Sequence, residues 1–123
     1  MANPNIVNVT SIYGNTSYLI PSSTSAATWT ALTPASGTVN KIDNIVATNV
    51  TGSTATVTVA INSAAAGAGT NYRFVYQVPV PVNASIVVAD KSTAFYLGEA
   101  QSIVVTVGTA SAIELTASYE AIT

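Results

Sequence analysis

The chain has 123 residues and a mass of 12.5 kDa, the length of one domain. It contains no cysteine and no histidine, which removes disulfides, thiolate chemistry, zinc and iron–sulfur ligation and the commonest general base. Only 7% of its residues are charged, three basic and five acidic for a net charge of −2, against about 25% in an ordinary soluble domain.

A globule of this mass exposes roughly 6,000 Å². Lys41, Arg73, Lys91, Asp43, Asp90, Glu99, Glu114 and Glu120 are too few to dominate such a surface, so its exposed part is mostly Thr, Ser, Asn, Ala and backbone. That surface is poorly protected against self-association, and much of it is expected to be covered by copies of the chain or by partners. The three basic residues are far apart in sequence, which argues against nucleic-acid binding. No basic amphipathic stretch suggests a membrane surface. Met1-Ala2-Asn3-Pro4-Asn5 lacks the positive and apolar regions of a secretory signal, and no apolar run is long enough to span a bilayer. Synthesis in a cytoplasm is the expectation.

In chain order, residues Ile6 to Tyr13 and Ser17 to Ile20 read as extended, and residues 1–12 as either an N-terminal arm or the first strand. Thr28 to Leu32 carries the single Trp29. Val39 to Val50 is a long strand whose apolar parity shifts between Ile42/Val46 and Val39/Ile45, which predicts a β-bulge. Thr51-Gly52-Ser53 suits a hairpin loop. Thr54 to Ile61 alternates cleanly, with Ala55, Val57, Val59 and Ile61 inward and Thr54, Thr56 and Thr58 outward. Ala64 to Thr70 is the most flexible loop by composition. Tyr72, Phe74, Tyr76 and Val78 share one parity, opposite Arg73 and Gln77. Pro79 and Pro81 cannot donate to a ladder, so their segment is an edge or a crossover. Ile86 to Ala89 and Ala94 to Leu97 are short strands. Turns at Leu97-Gly98-Glu99 and Val107-Gly108-Thr109 flank a strand with Ile103, Val105 and Val107 inward. The last strand turns Ile113, Leu115, Ala117 and Tyr119 inward and Glu114, Thr116, Ser118 and Glu120 outward. Without a helical stripe, eight to ten short strands predict an all-β fold, a single antiparallel, jelly-roll-like β-sandwich spanning residues 1–123.

Chemistry is sparse. Neither Gly-x-Ser-x-Gly, Ser-x-x-Lys, a Walker loop nor Gly-x-Gly-x-x-Gly occurs. Glu114 and Glu120 share a strand face about 20 Å apart, too far for glycoside hydrolysis. Asp90 and Glu99 flank a short strand and read as solvated carboxylates. No catalytic, cofactor or metal residue is assigned, and no enzyme activity is expected. Asn-x-Ser/Thr triplets at Asn8, Asn15, Asn49 and Asn83 are incidental in a chain with 31 Ser/Thr and ten Asn. Tyr72, Phe74, Tyr76 and Tyr119 are expected in the core. Tyr13, Tyr18 and Trp29 are the candidates for an exposed platform that stacks on sugars.

Three stretches carry a family resemblance. They are Met1 to Gly14 (MANPNIVNVTSIYG), Phe95 to Ile103 (FYLGEAQSI) and Ser118 to Ile122 (SYEAI). Together they resemble small virion structural proteins of marine tailed phages, especially T4-like cyanophages and their relatives. The resemblance covers most of the chain and rests on packing motifs, with a departure at the Ala-rich loop Ala64 to Ala68. It implies a capsid decoration or cement subunit located in the virion. The implied partners are the chain itself, as a homo-oligomer such as a trimer, and other virion proteins such as the major capsid protein. A neck, tail or fibre component with a host-attachment or carbohydrate-binding role is the alternative.

Overall fold

The alternating segments become strands, and the strands form two antiparallel sheets. The computed structural model describes residues 4–123. Its strands are β1 (Ile12–Leu19), β2 (Ala27–Thr28), β3 (Val39–Asn49), β4 (Ala55–Asn62), β5 (Asn71–Val80), β6 (Ser85–Ala89), β7 (Phe95–Leu97), β8 (Ser102–Val107) and β9 (Ile113–Ile122). No α-helix occurs among the described residues; two short 3-10 turns, Thr30–Leu32 and Lys91–Thr93, are the helical content. One sheet runs β1-β9-β3-β6, with β7 also on β3, and the other runs β2-β8-β4-β5. β6 pairs with Ile45 to Thr48 of β3 and β7 with Asn40 to Ile42, so the two act as one strand interrupted by a turn. This interleaving of two four-stranded orders is the jelly roll expected from the pattern.

Inward parity fills the space between the sheets. Val57 and Val59 of β4, Ile103, Val105 and Val107 of β8, and Ile113, Leu115 and Ala117 of β9 are buried together with Ile42, Ile45, Leu32 and Trp29. Each such Val, Leu or Ile contributes about 1.5–3 kcal/mol by leaving water. The parity shift in β3 is a register shift against β9 between Ile42 and Asn44, so both Ile42 and Ile45 reach the core.

Several local expectations change. Of the first expected extended segment only Ile12 and Tyr13 are strand, continuing through Gly14 into the second as β1, whereas residues 6–8 turn back on a bond from the Asn8 amide to the Asn5 carbonyl. Residues 1–3 of the arm-or-strand segment lie outside the described residues; residues 4–11 precede β1, and Ile6 stands beside Val39 and Tyr96 on the outer face of the first sheet. Thr28 to Leu32 is a two-residue strand followed by a 3-10 turn. Thr51-Gly52-Ser53 is a corner between sheets rather than a hairpin, because β3 and β4 each pair elsewhere. Buried Asn49 shapes it: its carboxamide oxygen accepts from the Thr51 amide and hydroxyl, and its nitrogen donates to the carbonyls of Ser53 and Val80. Pro79 lies within β5, an edge strand, and Pro81 starts the crossover to β6.

Candidate interaction surfaces

Charge is unevenly placed. Lys41, Asp43, Asp90, Lys91 and Glu120 line one basin with Asn44 and Ala94, where the β3 bulge meets the interruption between β6 and β7. Five of the eight charged side chains are therefore in one place. The remaining surface carries only Arg73, Glu99 and Glu114. Lys41 and Asp43 approach to 3.9 Å and are both partly exposed, a pair worth under about 1 kcal/mol.

The carboxylates singled out in the sequence have separate, local tasks. Asp90 caps the turn Lys91–Thr93, accepting from the amide and hydroxyl of Ser92, and Thr93 closes the reciprocal bond. Those donors, the Ser92 hydroxyl first, hold the Asp90 carboxyl below its ordinary value of 3.8. Glu99 accepts from the Gly37 amide at 2.7 Å, which lowers its carboxyl below 4.5. Glu114 is exposed and Glu120 half-buried on β9. Among the described residues no group of three or more acidic, His or Cys side chains is arranged to hold a metal ion.

The aromatic residues are redistributed. Trp29 is 1% exposed, and its indole N–H donates to Ser17 Oγ at 3.0 Å, so it belongs to the core and not to a platform. Tyr13 and Tyr18 are exposed, as the platform required. Tyr72 and Tyr76, expected inside, are exposed instead. Two register shifts in the β4–β5 pairing break the alternation there. At the shift between Val57 and Val59, Gln77 takes a φ of 49° and donates its amide to Thr58 Oγ1. The bulge brings the Arg73 guanidinium over the Tyr76 ring, 5.1 Å from its centroid. Phe74 and Tyr119 do pack against the core.

Phe74 meets Phe95 across the seam between the sheets, with ring centroids 5.4 Å apart. With Ile61, Val88, Ala89 and Thr93 they line an apolar cleft of about 320 Å³. Of the glycosylation triplets, Asn49 is fully buried and committed to the corner.

Sequence parity missed the Ala-rich loop's role as a cover. Residues 63–70 fold over the outer face of the second sheet. Asn62, buried, holds the loop through the amides of Ala64 and Gly69, and Ser102 Oγ donates to the Ala64 carbonyl at 2.6 Å. Outward-facing Ala60 and Val104 are buried as well, and Val104 lies beneath Gly67. No family model, curated protein or solved structure matches this chain.

Proposed function

We propose that this protein is a non-catalytic structural subunit of a virus particle, a capsid decoration or cement protein that binds and stabilises the lattice. One observation supports the reading above the others. A surface of 6349 Å² carries eight charged side chains, five of them in one basin, while Val7, Tyr18, Tyr13, Tyr72, Val87 and Tyr76 stand exposed elsewhere. A free monomer gains little from such a surface, whereas a lattice covers it and adds weak contacts over many equivalent positions. The resemblance to virion proteins of marine tailed phages supplies the particle.

The test is to add the purified protein to emptied capsids that lack it and image them. Density for the jelly roll at repeated lattice positions supports the proposal. A monomer that leaves the capsids bare overturns it. The exposed tyrosines favour a second reading, a neck, tail or fibre component that binds glycans. Saturable binding in a glycan screen, lost on replacing Tyr72 and Tyr76 with alanine, would select it.

A further inference from the structure

Exposed sheet edges invite pairing with another chain, and proteins guard them with charge, proline, bulges or shortness. Three edges of this molecule are guarded. β2 has two residues. β5 carries Pro79, Arg73 and two register shifts. The β6–β7 edge is broken by the turn Lys91–Thr93 and bears Asp90 and Lys91. β1 has none of these devices. Its eight residues, Ile12–Leu19, include no charge and no proline, and they pair with β9 without a register shift.

The free side of β1 can be assigned group by group. Ser11 and Thr123 exchange both backbone hydrogen bonds. Antiparallel alternation then turns the amides and carbonyls of Tyr13, Asn15, Ser17 and Leu19 toward β9, and those of Ile12, Gly14, Thr16 and Tyr18 outward. No loop, cap or side chain among the described residues bonds to the outward set.

We propose that β1 pairs with β1 of a second copy, antiparallel about a two-fold axis through Asn15, joining the two β1-β9-β3 sheets into one. The strand is self-complementary in this register. Ile12 faces Tyr18 of the second copy and Gly14 faces Thr16, so all four outward residues of each strand are paired. Shifting the axis by one residue either way leaves one of the four unpaired at the end of the ladder. Ile12 and Tyr18, 53% and 81% exposed, cover one another, and Gly14 leaves room beside Thr16. An uncharged strand meets its copy without repulsion. The contact is small for a specific interface, so it is weak in isolation and gains strength in an array. The inference stands on the edge geometry and goes beyond the virion reading by naming the strand and the register.

Sedimentation equilibrium from micromolar to sub-millimolar concentration tests it. The expected result is a reversible monomer–dimer equilibrium. Thr16→Pro removes an outward amide and no bond to β9, so the dissociation constant rises by about tenfold or more while the urea midpoint of the monomer stays close to wild type. The chain has no cysteine, so single cysteines report the register cleanly. Asn15→Cys oxidises to a disulfide dimer, because directly opposed residues in a non-hydrogen-bonded pair lie about 4.5 Å apart at Cα. Absence of a dimer, a dimer unaffected by Thr16→Pro, or Asn15→Cys cross-linking no faster than the distant control Thr54→Cys would each overturn the proposal. Bare capsids alongside an intact β1 dimer overturn the decoration role alone.

Discussion

Replacing Asn62 with alanine should release the loop 63–70 from the sheet it covers. The Asn62 side chain is fully buried. Its oxygen accepts from the amides of Ala64 and Gly69, both at 2.9 Å. Its nitrogen donates to Asn71 Oδ1 at 2.7 Å and shares its second hydrogen between the carbonyls of Gly67 and Gly69 at 3.3 and 3.2 Å. That is the full capacity of a carboxamide, about four hydrogen bonds. At about 1 kcal/mol each, reduced because water reaches part of the loop once it loosens, the loss is about 3 kcal/mol. For a chain of this length that lowers the melting temperature by about 12 °C. Urea unfolding gives the free energy. Hydrogen exchange gives its location, since the Ala64 and Gly69 amides should lose protection before the β4 ladder does. A loss under about 1 kcal/mol with both amides still protected would refute the assignment of Asn62 as the anchor.

Removing the Trp29 partner with Ser17→Ala should cost about 2 kcal/mol, since the buried indole N–H is left unpaired; in a Trp29→Phe background the same change should cost far less, a coupling read from a double-mutant cycle. Gly67 has a φ of 72°, and a Cβ there would lie 2.5 Å from Thr28 Oγ1; Gly67→Ala should cost about 1–3 kcal/mol, and Thr28→Ala should recover the steric part but not the backbone strain. Asp90 and Glu99 both have lowered carboxyl pKa values. Their stabilisation is therefore present above their unfolded values and is lost as pH falls through the folded ones, so the urea midpoint should drop in acid. Asp90→Asn combined with Glu99→Gln should flatten that part of the profile.

The core was legible where strands are regular. In β4, β8 and β9 a period of two and a supply of Val, Ile and Leu place each side chain without further information. Bulges divide the rest. The bulge in β3 could be read because apolar residues of both parities lie within one strand, Ile42 and Ile45. The shifts in β5 could not, since Tyr72, Phe74, Tyr76 and Val78 preserve an apparent parity that the backbone at Gln77 does not follow. Trp29 was ambiguous for a related reason. It follows a strand only two residues long, too short for alternation to assign its side. The corner at Thr51 to Ser53 has the composition of a hairpin, and only the pairing of β3 and β4 with other strands distinguishes the two. The covering loop was hidden because its anchors, Asn62 and Ser102, are polar residues at outward positions, where parity predicts exposure.

The shortage of charge bears on association through where charge is missing, more than through its total. Composition drift alone would thin the charges evenly and leave every edge equally open. Here the guards are selective. The β6–β7 edge keeps Asp90 and Lys91, and β5 keeps Arg73, proline and bulges, devices that need little charge. β1 is continuous, uncharged and in register over eight residues. A strand that long, left open at the same sheet's other side, is a liability for a free monomer and an asset for a subunit that meets copies of itself. Charge introduced at Thr16 should therefore weaken self-association, whereas the same charge at Pro79 on the guarded edge should leave it unchanged. That contrast separates pairing through one strand from a general stickiness of the whole surface.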